Sequence, residues 1–264
     1  MSGLDWYHEV DPQWLAARAD ALTATDIKGL TATWKRVKKS SAKGLIPEFA
    51  AVWGAKTADW PVDETSYGAA ARGHIMEPYA VEEYNNLNNT EFHHWDDCII
   101  VNGPVGFSPD ALDIMQPTAD IRLDYSDDGL VAFDDKVCDL PKHMLEIKSF
   151  EPAAHMKAIA TPKMKRDQLM QLAVAFVVLP SLETATLVFF CPGAKIKLWS
   201  DTYTREDLQE YIQLAVEISE KYQETSTICE KLAASNGTGK TINLHECDVW
   251  RDHIATRQQN SFLR

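Results

Sequence analysis

The chain has 264 residues, of which 45% are hydrophobic and 25% charged, and a formal net charge of −13. That length suits one large domain or two small ones with a sizeable core. The longest apolar run, LAVAFVVL (172–179), is far too short to span a bilayer. The N-terminus, MSGLDWYHEVDP, lacks the basic start and apolar stretch of a secretory signal. Cys98, Cys138, Cys191, Cys229 and Cys247 are scattered, odd in number and form no C-x-x-C pair. They argue against a zinc ribbon and a disulfide framework, and they fit a reducing cytoplasm. Excess negative charge repels phosphate, so any nucleic-acid contact must rest on metal ions or local basic runs. Lys35, Arg36, Lys38, Lys39 and Lys43 make one such run, and Lys157, Lys163, Lys165 and Arg166 another; either reads equally well as a solvated face.

No repeat, low-complexity segment or long linker is visible, which predicts a single domain over 1–264. Its motif-bearing core spans about 14–200, with a C-terminal helical extension over 204–264. Residues 11–20 read as a helix, with Trp14, Leu15 and Arg18 at helical spacing. A second helix starts near Thr23 or Thr25, whose hydroxyls offer N-caps. Residues 66–88 are helical, with Pro78 marking a first turn or a kink. Strands follow at CIIV (98–101), IRLDY (121–125), LVAF (130–133) and HMLEIKS (143–149). A helix is predicted over about 163–179. A hairpin, TLVFFC then KIKLW, turns at Pro192-Gly193. Thr204 with Asp207 resembles a capping box that opens a long helix, where Leu208, Tyr211, Ile212, Ala215 and Val216 keep helical period. The order predicts a mixed α/β (α+β) fold.

The chemistry concentrates in LEIKS (145–149). Alternate strand residues share a face, so Glu146 and Lys148 point one way and Leu145, Ile147 and Ser149 the other. A carboxylate and an ammonium then face one pocket while Ile147 anchors in the core. Magnesium wants hard oxygen ligands and keeps several waters. Asp110, in GFSPDALD (106–113), is placed to add a second carboxylate, and Pro109 restricts Ser108 to extended geometry. Such a cation can polarise a phosphodiester and lower the pKa of an attacking water, and Lys148 can orient that water or stabilise developing charge. Glu77, in RGHIMEP (72–78), shares an i, i+3, i+4, i+7 stripe with Ala80, Val81 and Tyr84. A carboxylate on an apolar face needs a partner: a metal or its water, or a salt bridge to Arg72 or Lys148. Taken alone, E-x-K fits an exposed ion pair, and Asp110 alone fits a turn.

In their order, and with WLAARADALTATD (14–26) ahead of them, these blocks resemble the PD-(D/E)xK nuclease superfamily, specifically the lambda-exonuclease/YqaJ family of phage-type alkaline exonucleases. The resemblance covers about residues 14–190. It implies a restriction-endonuclease-like core with a central mixed sheet flanked by helices. Asp110 and Glu146 would bind the catalytic Mg²⁺ (or Mn²⁺), with the carbonyl of Ile147 as third ligand. Glu77 would support a metal or its water, and Lys148 would position the nucleophilic water. Gln171 would match the family's helix glutamine, with Gln168 as runner-up. Arg18, Thr25 and Ser108 would hold a 5′-terminal phosphate, for which one guanidinium and two hydroxyls are apt. The implied activity is digestion of linear double-stranded DNA, 5′ to 3′. The implied partners are a single-strand annealing recombinase and, as in some relatives, a toroidal homotrimer.

Three departures stand out. Ala111 replaces the glycine usual after SPD, a change expected to affect only a turn. An acidic insert over 113–143 separates SPDALD from LEIKS, and reads either as a longer hairpin or as a change in how DNA enters. The two glutamines lack the usual Q-x-Q spacing. Other motifs read as decoys. ASNGTGKT (234–241) fits a loose phosphate-loop pattern, but a long helix precedes it and too few residues follow for an NTPase domain. His93, His94, Asp96, Asp97 and Cys98 lack metal-ligand spacing and read as a surface turn. His74 reads as structural, or as a partner of Glu77. Trp53, Trp60 and Trp199 read as core or rim rather than base-stacking groups. The rival readings are an endonuclease of the same superfamily, a non-catalytic DNA-end binding protein and an acidic interaction protein.

Overall fold

The computed structural model describes residues 18, 21–40, 46–57, 67–117, 122–131, 137–160 and 165–236. The helix expected over 11–20, apart from Arg18, lies outside the described residues. So do Lys43, Trp60, Lys163, Cys247 and most of ASNGTGKT. No helix among the described residues is long and apolar enough to cross a membrane.

The chain divides into two compact units. Residues 1–24 and 63–215 form the first; residues 25–62 and 216–264 form the second. The second unit holds most of α1 (Ala24–Ser40), α2 (Pro47–Lys56) and the C-terminal part of α6 (Gln209–Asn236). Ile27, Leu30 and Phe49 are buried there, and Trp34 meets Phe49 edge-on with ring centroids 6.2 Å apart. The Trp34 indole donates to Glu217 Oε2 at 3.0 Å. Lys56 pairs with Asp26 at 3.0 Å, and Arg36 of the first basic run with Glu48 at 2.6 Å.

Among the described residues, the first unit carries ten strands in two five-stranded sheets, together with α3 (Tyr67–Asn88), α4 (Pro152–Ala160) and α5 (Arg166–Val178). One sheet has the order β1 (His93–His94), β4 (Ala111–Leu112), β8 (His143–Ser149), β9 (Thr184–Phe190), β10 (Leu198–Thr204). Only β8 and β9 run parallel in it, and the other neighbours are antiparallel. The other has the order β3 (Val105–Phe107), β2 (Ile99–Asn102), β5 (Arg122–Ser126), β6 (Gly129–Val131), β7 (Val137–Cys138). Its β2–β5 pair is parallel. Mixed α/β is therefore the observed class.

Helix α3 lays Ala80, Val81 and Tyr84 on Leu145, Ile147, Val188 and Phe190. The LEIKS alternation is thereby resolved: Leu145 and Ile147 face α3, and Glu146 and Lys148 take the opposite face. Helix α5 buries Met170, Leu172–Phe176 and Val178, apolar on nearly every side. A helix of that kind belongs inside a fold, and α5 contacts β2 and β3 of one sheet and β9 of the other.

Several elements depart from the sequence reading. The second hairpin arm begins at Leu198, not Lys195. The Cys191 amide donates to the Lys197 carbonyl at 2.8 Å and closes a longer turn. The arm continues through the polar LWSDTYT, which suits an edge strand where one side meets water. Thr204 and Asp207 do bond reciprocally, through the Thr204 amide to Asp207 Oδ2 at 2.8 Å and the Asp207 amide to Thr204 Oγ1 at 3.3 Å. That box closes a turn after β10, and α6 starts at Gln209. Ala111 is not a turn residue. It pairs with Leu145 and His94 in β4 and is fully buried. Helices α2 and α4 were not anticipated, although each opens on a proline, which is pre-shaped for a helix start.

The acidic insert supplies β5, β6 and β7, a hairpin extended by one strand. Its ends are drawn together at the sheet. The Asp113 amide donates to the His143 carbonyl at 3.2 Å, and the Lys142 amide to Asp113 Oδ1 at 3.0 Å.

The segment after Arg18 is pinned to β3. Leu22 forms a parallel bridge with Val105, donates to the Pro104 carbonyl at 2.8 Å and accepts from the Gly106 amide at 3.1 Å. Gly106 permits this approach, because a Cβ there would sit 2.7 Å from both Ala21 Cβ and Ile99 Cδ1. Gly106→Ala should therefore lower unfolding free energy by roughly 1–3 kcal/mol through overpacking. Urea unfolding of wild type and variant would measure it.

Candidate active site

The site grows from the place where β4 stops. Ala111 pairs with Leu145, but the next rung is missing, and Asp110 sits in a bend after Pro109. Its carboxylate takes the vacant place: Oδ2 accepts the Ile147 amide at 2.6 Å. Its backbone carbonyl accepts the Trp95 amide at 3.0 Å. Trp95 is buried and donates its indole N–H to the Ile114 carbonyl at 3.0 Å. Asp110 is thus held by side chain and main chain at once.

On the adjoining face of β8, Lys148 Nζ donates to Glu146 Oε1 at 2.5 Å. Glu146 is almost wholly buried, and Lys148 keeps partial access to solvent. Burial works against the Lys148 charge, but the Glu146 and Asp110 carboxylates outweigh it and hold the ammonium above its ordinary range. Burial pushes the Asp110 carboxyl well above the usual carboxylate range, and the nearby charges of Glu146 and Glu77 push the same way.

Glu77 stands on the apolar stripe of α3, buried beside two imidazoles. Its Oε2 lies 3.3 Å from Nδ1 of His74 and 3.6 Å from Nε2 of His94. Burial opposes its ionisation, but His74 and His94 outweigh burial and bring its carboxyl down to about 2. Contact with Glu77 in turn raises His74. Of the two expected salt-bridge partners, Lys148 pairs with Glu146, and the Arg72 side chain is outside the described residues. One turn before Glu77, Gly73 leaves room: Oε1 is the nearest atom to where its Cβ would stand, at 3.8 Å.

The HHWDDC segment is not a surface turn. His93 and His94 form β1 against Leu112 and Ala111, with His94 turned to Glu77. Two residues make a strand too short for any periodicity, so His94 was legible only as one of a histidine pair. Asp96 also joins this edge, with Oδ1 3.6 Å from His74 Nδ1.

The remaining predicted residues are distributed as follows. Gln168 Oε1 accepts the Lys165 amide at 3.0 Å and closes the start of α5, so its carboxamide is engaged in capping. Gln171, one turn later, is half-buried. Arg18 and Ser108 belong to the first unit, in segments joined by the Leu22–Val105 bridge, and both are half-buried. Thr25 is exposed in the first turn of α1 and belongs to the second unit.

Among the described residues, no three His, Cys, Asp or Glu side chains close as a metal cage. The donors nonetheless fit a hard divalent cation. Magnesium sites use one or two carboxylates and retain waters rather than a full protein cage. Three acidic groups share this edge against one ammonium, an imbalance that an added cation relieves.

The comparisons agree with this architecture. The family model of the YqaJ-like viral recombinase domain matches residues 13–178. The chain belongs to the YqaJ family. Its fold is similar to that of an alkaline exonuclease (LHK-Exo) from Laribacter hongkongensis, with a TM-score of 0.50 and 16% identity over 84% of this chain and 100% of that one. The structure of LHK-Exo in complex with dAMP gives the same TM-score and coverage at 17% identity. No curated protein sequence matches the chain. The family is thus YqaJ, and the fold is the one seen in LHK-Exo.

The depressed Glu77 pKa carries a sign. Stability gained from its ionisation is full above the unfolded value near 4.5 and is lost as pH falls towards about 2. Glu77→Gln should flatten the acid limb of the stability profile between those values. Denaturant unfolding at stepped pH would show it.

Proposed function

We propose that this YqaJ-family chain is a divalent-metal-dependent exodeoxyribonuclease that digests linear double-stranded DNA from a 5′ end and leaves a 3′ single strand. The observation that carries the reading is Asp110 fastened to the Ile147 amide beside the Glu146–Lys148 pair. This places two carboxylates and an ammonium, from segments far apart in sequence, at one sheet edge.

Asp110 and Glu146 would hold the cation, Mg²⁺ or Mn²⁺. In a strand, the N–H and C=O of one residue point to the same edge. The Ile147 carbonyl therefore opens towards Asp110, which supports it as a third ligand. Glu77 would hold a metal-bound water. The cation, when bound, polarises the phosphodiester and acidifies a water. Lys148 remains an ammonium, since its neighbours raise its pKa. Its role is then to orient the nucleophile by donation and to offset developing charge, not to abstract a proton. Gln171 is the helix glutamine of the site, because Gln168 is committed to the cap. The resemblance assigns a terminal 5′-phosphate to Arg18, Thr25 and Ser108. The bridge that aligns the Arg18 and Ser108 segments supports the first and last of these. A 3′ strand would suit a single-strand annealing recombinase, and a homotrimeric ring would present basic residues to DNA despite the acidic total.

The test is digestion of end-labelled linear duplex bearing 5′-phosphate or 5′-hydroxyl, with Mg²⁺ or EDTA, beside a closed circle. Metal-dependent loss of the linear duplex is expected, faster with 5′-phosphate, with the circle intact. Glu146→Ala should abolish it, and Lys148→Ala should cost roughly 10²–10³-fold in rate. Cutting of the circle would replace the proposal with an endonuclease. Binding of ends without cleavage would replace it with an end-binding protein.

The glutamines separate by readout. Gln168→Ala should cost about 1 kcal/mol of stability through its cap, leaving the rate per folded molecule unchanged. Gln171→Ala should lower the rate with little change in stability. Thermal unfolding and single-turnover digestion, run on both variants, would decide.

A further inference from the structure

Glu77 does not meet the rest of the site alone. Its Oε2 is buried without an aligned hydrogen bond, and so is His94 Nε2, 3.6 Å away. His74 Nδ1 reaches the same oxygen at 3.3 Å and lies 3.6 Å from Asp96 Oδ1. Two imidazoles from different elements, α3 and β1, thus converge on one carboxylate oxygen.

Strand β1 also touches the second acidic group. His94 stands opposite Ala111, and the next residue, Trp95, donates to the Asp110 carbonyl at 3.0 Å. Beyond Trp95 the strand is locked by a reciprocal pair: the Asp96 amide donates to Gln116 Oε1 at 2.9 Å, and Gln116 Nε2 donates to the Asp96 carbonyl at 2.8 Å. With Trp95 buried, β1 cannot slide along β4 without leaving this lock. A strand held so firmly serves as a gauge between Glu77 on its helix and Asp110 on its bend.

We infer that His94, assisted by His74, is a positioning residue that clamps Glu77 by one oxygen and so sets its distance from Asp110. The inference rests on the nuclease reading above, in which both acids serve one cation site. The other Glu77 oxygen, beside the space left by Gly73, is then the one available to a metal-bound water. The clamp acts on the carboxylate only and need not touch cation or DNA. A carboxylate on a buried helix face has several rotamers, and fixing one of them lowers the cost of binding a cation. Removal of such outer partners typically weakens metal binding 10–100-fold.

The test measures Mn²⁺ binding by calorimetry on the full chain without DNA, with thermal unfolding as a check on folding. His94→Leu should weaken binding about ten-fold, and His74→Leu should weaken it less. His94→Gln places an amide nitrogen near the site of Nε2 and should restore most of the affinity. In a Glu77→Ala background, His94→Leu should weaken binding no further. Equal losses with and without Glu77, or failure of His94→Gln to restore a folded variant, would overturn the clamp. Asp110→Asn tells the two readings apart. A chain that binds Mn²⁺ through Asp110 but ignores His94→Leu overturns the clamp alone. A wild-type chain that takes up no Mn²⁺ overturns the nuclease reading and the clamp with it.

Discussion

The site depends on one substitution of bonding partners. Where β4 ends, the Ile147 amide would lack an acceptor, and a buried amide without one is costly. Asp110 Oδ2 fills that place at 2.6 Å. A side chain thereby does the work of a strand, which fixes a carboxylate against the residue between Glu146 and Lys148. Pro109 makes this economical, since it has no N–H to offer a continuing ladder. The bond also explains why segments some thirty-six positions apart in sequence need no direct connection to share a site. Sheet geometry sets the spacing, and the acid inherits it.

Electrostatics then follow from burial. Three carboxylates lie near one ammonium, and the fold answers each differently. Glu146 has Lys148, Glu77 has two imidazoles, and Asp110 has a share of the Lys148 charge and one amide, which burial and the neighbouring acids outweigh. The result is an asymmetric set: Glu77 stays ionised far into acid, while Asp110 resists ionisation. Divergent affinities for protons among neighbouring acids are a common mark of functional sites. Here they also say where a positive charge would be most welcome.

Much of this was legible in the sequence, for identifiable reasons. Strand alternation separates Ile147 from Glu146 and Lys148, because a period of two leaves no freedom once Ile147 is in the core. Helical period puts Glu77 on the buried stripe of α3 with Ala80, Val81 and Tyr84, and these residues do pack on β8 and β9. The apolar run at 172–179 likewise lies mainly in the buried helix α5. What escaped was short. Strands β1 and β4 have two residues each and exist only through their neighbours, so His94 gave no periodic signal. Ala111 looked like a turn residue because its neighbours Ser108, Pro109 and Asp110 are turn formers. Its burial is set by Leu145 across the ladder. The extension of β10 past Trp199 escaped because Ser200 and Asp201 are weak strand formers, tolerated at an edge by pairing with β9.

The tie between Asp113 and the Lys142–His143 pair has a wider consequence. It closes the insert at its root, immediately beyond the β4–β8 ladder. Everything between those residues hangs from a fixed neck, and closing a longer loop costs entropy only logarithmically. The excursion can grow, shrink or change its charge over evolutionary time while the Asp110 and Glu146 segments keep their register. A lineage could thus revise what lies around the site, strand by strand, without rebuilding the site itself.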